Sequence, residues 1–424
     1  METLRVRTRA FDLDNTDALV LKGMAILAIA LHNYFYHLIS LENNEFSFDL
    51  ARFGPFLRGI EDPRQAVPTF FAFLGQYGVQ IFMFLSAYGL AKRYWDTPPG
   101  WGGFVWSRIK KIYPAFLLAV LAWALLIGSM YPALGPIGLL RRHAAALLLT
   151  FAGVESLAPG FPLLPVGPWW FLPFIMQFYC LWPVLRRFGV RFGLAGLILL
   201  SCVSVGVVDL ASGYSNGSLS IWLFQTPLGH VPEICLGVAV ARYGVFSKRW
   251  AGPAAAVFFA AAIYNRPLWP CRFVAVLIFM LWFYALAQEW LRRCGWLIYM
   301  GEFSMGIFFV NGFTRIPFLN AAFEHKNWLS GLLLGFASAV FALVVAQLLS
   351  AAENSLRAVA SAWSLTELRR RVSGFLVPLP HFEALMMDEQ GEDAIEQAAN
   401  APGFPAPPGC APFAGGRGTP GSAW

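Results

Sequence analysis

Long apolar runs, separated by short polar and basic stretches, set the predicted elements of this chain. A membrane-crossing helix needs about 20 mostly apolar residues. By that rule the runs at 18–40, 68–91, 112–131, 167–185, 190–210, 219–241, 250–264, 268–290, 296–314 and 329–351 read as spans. One further apolar stretch, 137–157, opens on Arg141, Arg142 and His143, and charge decides its status. If it lies at the interface or re-enters, one side receives Arg5, Arg7 and Arg9, the basic 92–111 loop, Arg186, Arg187, Arg191, the 242–249 loop and Arg292–Arg293. That is the asymmetry expected of cytoplasmic loops. If it crosses, Arg186, Arg187 and Arg191 fall outside and every later loop flips. The expected fold is all-α, a polytopic integral membrane protein of about ten transmembrane helices with both ends cytoplasmic.

The flanks read differently from the core. Residues 1–17 form a cytoplasmic N-terminus, in which Asp12, Asp14 and Asp17 precede the first apolar run, and 18–351 form the transmembrane core. The 41–67 segment is rich in carboxylates and reads as a folded outer loop. A basic stretch around Arg369, Arg370 and Arg371 makes 352–385 a candidate membrane-surface segment. From 386 to 424 the chain turns acidic and then Pro/Gly/Ala-rich, which cannot bury a core and predicts a disordered tail.

Composition removes other classes. Of 424 residues, 58% are hydrophobic and only 13% charged, against roughly 45–50% and 25% in a soluble domain. A soluble enzyme is excluded. The net charge of +7 is spread over short clusters between apolar runs rather than one stripe, so it points to membrane orientation and not to nucleic acid. The six cysteines are scattered, with no CxxC, so neither a disulfide framework nor a metal site is indicated. The first apolar run reads as a membrane helix rather than a cleaved leader.

Polar groups at bilayer depth are costly and each needs a partner or a task. The first span is the richest, with Lys22, His32, Asn33, Tyr36 and His37. Ten residues of helix separate Lys22 from His32 by about 15 Å, so one lies near the inner surface and the other towards mid-membrane. His32 reads in two ways: an imidazole that takes a proton from an alcohol, or a buried histidine bonded to a neighbouring helix. His37 lies nearer the outer interface, as a structural or substrate-facing group. In "SRIKKIYP", Arg108 and Lys111 project together at i and i+3. They suit either the phosphates of a cytosolic donor or topology anchoring on anionic lipid. His230 and Glu233 in "LGHVPEICLG" form a possible pair where proline breaks a helix. Gln80, Gln177, Glu302, Ser304 and Asn311 read first as packing hydrogen bonds, and Trp169 and Trp170 as interfacial anchors.

Six segments, in order, carry a resemblance: "LKGMAILAIALHNYF", "GQYGVQIFMFLSAYGL", "SRIKKIYPAF", "PWWFLPFIMQFYCLWPVL", "VPEICLGVAVA" and "MGEFSMGIFFVN". Together they resemble membrane-bound acyltransferase family 3, which transfers acyl groups to sugars of surface polysaccharides, lipopolysaccharide and antibiotics. The resemblance runs from about residue 17 to 350 and implies a catalytic role for His32 and an essential basic pair in Arg108 and Lys111. Several positions depart from the family pattern. Lys22 replaces arginine, and the usual spacing to the histidine is one residue longer, which falls on Asn33. Lys111 stands where a second arginine is common, Ile175 and Met176 replace Glu-Glu, and Asn311 replaces a common histidine.

The resemblance implies a bacterial inner-membrane O-acyltransferase, moving an acetyl group from acetyl-CoA or another acyl-CoA to a polysaccharide or glycolipid hydroxyl. His32 would be catalytic and Arg108, Lys111 and Lys22 donor-binding, with Asn33, His37, His230, Glu233, Gln177 and Ser304 as substrate or supporting groups. No bound cofactor or metal is expected. The rival is a glycan or lipid carrier, which would show matched helix breaks in two halves; Pro173, Pro227 and Pro232 have no such counterparts.

Overall fold

The computed structural model describes residues 12–39, 48, 50–157, 165–214, 218–244 and 250–373. Arg5, Arg7 and Arg9, part of the 41–67 loop, the 245–249 stretch and everything from 374 onward lie outside the described residues. Every regular element among the described residues is helical: α1 (Asn15–Leu38), α2 (Phe53–Glu61), α3 (Ala66–Leu74), α4 (Gly78–Tyr94), α5 (Trp101–Met130), α6 (Gly135–Arg142), α7 (Ala144–Phe151), α8 (Phe171–Tyr214), α9 (Ser218–Phe224), α10 (Val231–Tyr243), α11 (Ala251–Tyr264), α12 (Arg272–Leu291), α13 (Gly295–Glu302), α14 (Ser304–Thr314), α15 (Ile316–His325) and α16 (Trp328–Ser373). Among the described residues, six stretches are long and apolar enough to cross a membrane: Asn15–Leu38, Ala66–Tyr94, Trp101–Met130, Gly167–Ala211, Arg266–Leu291 and Trp328–Ala362. The chain is an all-α, multi-pass membrane protein. One compact unit, Met1–Leu356, holds the bundle, and a second comprises Arg357–Trp424.

Helix α1 is buried on nearly every side, from Val20 and Leu21 to Tyr34 and Phe35, as expected of a helix that is apolar all round. Its start is the acidic triplet. Asp14 caps the helix by accepting from Asp17 N at 2.8 Å, and Asp17 Oδ2 accepts in return from Asp14 N, a reciprocal arrangement that satisfies two orphan amides. Asp17 is 1% exposed and also accepts from Tyr284, Gln288 and Arg292 of the α12 end. Asp12 takes Lys92 at 2.7 Å and the Tyr88 hydroxyl of α4. Residues that look like a polar flank in sequence therefore clasp α1 to two neighbours.

Against α13 the contact is backbone to backbone. A Cβ on Gly23 would lie 2.0 Å from Leu297 O, and one on Gly301 would lie 2.0 Å from Leu19 O. Small residues let membrane helices approach this closely, where dispersion replaces the missing hydrophobic force.

Several expected spans are subdivided. The 219–241 run becomes α9, a 3-10 turn at Pro227–His230, and α10, because proline lacks the N–H that would continue the ladder. The 296–314 run breaks at Phe303 into α13 and α14. The 68–91 run is interrupted by a 3-10 turn at Gly75–Tyr77 between α3 and α4. Conversely, 167–185 and 190–210 join as α8, whose only non-helical residue is Gly193, at φ 61° and ψ −153°. The charges of Arg186, Arg187 and Arg191 do not stop a helix; the glycine conformation does. The 137–157 stretch forms α6 and α7 of eight residues each, about 12 Å apiece and each too short to cross alone.

Candidate functional site

Helices α1 and α14, the Gly75–Tyr77 turn, the start of α4 and the turn at Gly167–Trp170 enclose a cavity of about 360 Å³. His32, Asn33, Tyr36 and His37 line it from α1, with Gln76 and Gln80, Trp170, His230 and Arg315 opposite or beside them. The periodicity of α1 accounts for this: residues three to five apart bring two adjoining stripes of one helix to a single opening.

His32 is 5% exposed, and its Nδ1 lies 3.1 Å from Ala72 O and 3.2 Å from Phe71 O. Carbonyls only accept, so Nδ1 carries hydrogen and Nε2 is the basic nitrogen of the neutral ring. Both carbonyls belong to the last turn of α3, so the end of that helix fixes the orientation of the ring. The close approach depends on glycine, since a Cβ at Gly75 would lie 2.8 Å from the His32 Cβ. Tyr36 packs over the imidazole with ring centres 5.4 Å apart.

The neighbouring stripe is occupied differently. Asn33 Nδ2 donates to Asn311 Oδ1 at 2.6 Å, and Asn311 Nδ2 donates to Ile307 O and Phe308 O. The two positions at which the family resemblance anticipates histidine thus hold a mutually bonded asparagine pair tying α1 to α14. At the far end of α1, Arg315 donates Nη2–H to His37 Nε2 at 2.9 Å.

His230 forms part of the wall, with both ring nitrogens engaged. Nε2–H donates to Phe224 O at 2.9 Å and Nδ1 lies 3.4 Å from Glu233 Oε1, with both side chains 1% exposed. Its ring sits among Trp170, Phe174, Phe224 and Phe273. That arrangement holds the wall in place, with Glu233 behind it rather than in the cavity. Gln177 and Ser304 do not reach the cavity lining. Gln177 Nε2 donates to Gly153 O and Ser156 Oγ, pinning the segment after α7, and Ser304 is buried at the start of α14.

A second polar centre lies at the other end of α1. Half-buried Arg108 places its guanidinium over Phe104 and Tyr179, 5.0 and 5.2 Å from the ring centres, and Tyr179 is hydrogen-bonded to Ser86. Arg108 Nε has no partner. Lys111 is exposed and its charge acts on Lys22 of α1. Among the described residues no carboxylate pairs with Lys22, Arg108 or Lys111, so α1 and α5 present adjoining cations suited to an anion. Lys22 and Asn33 are three helical turns apart and share a stripe, while His32 lies a quarter turn away from it.

Two expectations change. Trp169 is not an interfacial anchor: it is fully buried, with Nε1–H donated to Phe309 O at 2.8 Å. Trp170 stacks beside His230 in the cavity wall. A lipid-facing belt and a buried bolt have the same sequence appearance, because tryptophan serves wherever a large apolar body needs one hydrogen-bond acceptor. Arg315, which sequence offers only as a loop charge, is the residue missed; its place after α14 gives no hint that α1 lies opposite.

A family model described as an acyltransferase domain matches residues 15–351. No curated protein and no solved structure matches the chain. The matched region begins at the first residue of α1, ends within α16, and contains the cavity and the cationic centre. On that extent, well over half the chain, the protein belongs to membrane-bound acyltransferase family 3.

Proposed function

We propose that this membrane acyltransferase is an O-acetyltransferase of the bacterial inner membrane, moving acetyl from acetyl-CoA to a hydroxyl of a surface or exported polysaccharide or its lipid-linked precursor. The observation that carries the reading is His32, held through Nδ1 by two backbone carbonyls on the wall of a cavity wide enough for a sugar. In this reading the CoA phosphates meet Arg108, Lys111 and Lys22, and the thioester end of the donor reaches the His32 cavity, whose lining includes Ile29. The axial distance to be covered, about 15 Å, follows from ten residues of helix.

His32 Nε2 takes the proton of the acceptor hydroxyl as its oxygen attacks the thioester carbonyl. Collapse of the tetrahedral adduct breaks the C–S bond, and the imidazolium returns the proton to the departing thiolate, giving an ester and free CoA. A positioned base of this kind contributes about 10²- to 10⁴-fold, and the carbonyls at the α3 terminus hold the ring in one orientation.

The test is acetyl ester content of surface polysaccharide in cells expressing wild type, His32→Gln and Arg108→Ala at matched membrane levels. Loss of at least about 100-fold with His32→Gln, and a raised requirement for acetyl-CoA with Arg108→Ala, supports the reading. Normal acetylation in both variants, or missing polymer rather than missing acetyl, sinks it.

A further inference from the structure

Among the described residues, the cavity wall carries a single obligate charge. Arg315 is half-buried, spends Nη2–H on His37, and leaves Nε and Nη1 buried without any hydrogen-bond partner. Because His37 accepts on Nε2, that contact does not neutralise the guanidinium. Among the described residues, those lining the cavity include no aspartate or glutamate, and Glu233 is engaged with His230. Two guanidinium nitrogens held out of water with neither counter-charge nor hydrogen bond are costly, and a site keeps such a group where an incoming anion compensates it. Gln80 repeats the pattern in neutral form, 3% exposed with Oε1 unpaired.

Position says which substrate is concerned. His37 is five residues beyond His32 on α1, about 7.5 Å along the axis, on the side away from Lys22 and the cationic centre that the donor is assigned to. That separation suits a hydroxyl and an oxyanion on one sugar or on adjacent sugars. We propose that the acceptor is an anionic glycan, whose carboxylate or phosphate pairs with Arg315 while its hydroxyl meets His32. This rests on the acyl-transfer reading of the same cavity.

The test is equilibrium binding to the purified full-length protein in lipid nanodiscs, with methyl glucuronide, glucose 1-phosphate and neutral methyl glucoside as probes. One charged probe is expected to bind at least about ten-fold tighter than methyl glucoside. Arg315→Gln reduces that preference below about two-fold, and Arg315→Lys retains part of it. Preference for the glucuronide identifies a uronic acid acceptor; preference for the phosphate identifies a phosphorylated or lipid-linked one. Equal binding of all three probes by wild type, or a preference that survives Arg315→Gln, overturns the proposal. Acetyl-CoA turnover on the same preparations separates the two ideas. Turnover without charge preference removes the anionic acceptor alone, whereas Arg315-dependent preference without turnover removes the acyl-transfer reading and leaves an anion-binding cavity.

Discussion

Gly75→Ala is expected to impair catalysis more than folding, and the structure supplies the magnitude. The added Cβ would stand 2.5 Å from Ala28 O and 2.8 Å from the His32 Cβ. Ordinary contact begins near 3.4 Å, so α1 and the Gly75–Tyr77 turn must separate by about 0.9 Å (3.4 less 2.5). The carbonyls that hold His32 Nδ1, on Phe71 and Ala72, sit in the turn of helix just before Gly75 and move with it. Overpacking of this size costs about 1–3 kcal/mol of stability, but a misplacement near 1 Å at a catalytic group costs about 100-fold in rate. The control is Gly23→Ala, where the overlap is larger, 2.0 Å to Leu297 O, yet lies on the α13 face away from the cavity. Thermal unfolding in detergent should show both variants destabilised, Gly23→Ala at least as much. Acyl transfer per folded molecule should fall about 100-fold in Gly75→Ala and stay within a few-fold of wild type in Gly23→Ala. Equal specific activity in the two, with Gly75→Ala folded, would refute the claim that the α3 terminus positions His32.

Three further outcomes follow from the packing. Gly193→Ala forces a side chain into φ 61°, ψ −153°, at about 1–3 kcal/mol, and should lower the unfolding temperature; an unchanged temperature would mean the bend is not fixed by the backbone there. Asp17→Asn leaves Arg292, 37% exposed, without its buried counter-charge and weakens three hydrogen bonds to α12. About 2 kcal/mol is expected, and no loss in a denaturation series would show that the clasp is dispensable. Asp14 is held below the ordinary carboxylate value of 3.8 by the Asp17 amide, and Asp12 by Lys92. Depressed folded values mean that their contribution is complete above that pH and fades as pH falls through them. Stability should therefore be flat in this respect from neutral pH down to about 4 and decline below it, more steeply in wild type than in an Asp12→Asn, Asp14→Asn double variant.

Much of the architecture was legible along the chain because bilayer thickness and hydrocarbon solvation act on contiguous residues. The apolar runs, the helical class and the order of the six motifs needed no partner to be recognised, and the same local reading singled out His32, Asn33, Arg108 and Lys111 as candidates. Span boundaries were legible only in part, since a helix ends where the backbone loses its ladder rather than where charge appears. Gly193, not the arginines before it, interrupts α8, and Phe303 divides what hydropathy reads as one run. What tertiary structure alone decided is which polar groups meet. His37 with Arg315 and Asn33 with Asn311 are each 278 residues apart, and Asp17 joins Tyr284 across 267. Periodicity places a side chain on a face of its own helix but carries no information about which helix lies opposite. The low dielectric of the interior then turns those long-range juxtapositions into the energetically decisive ones.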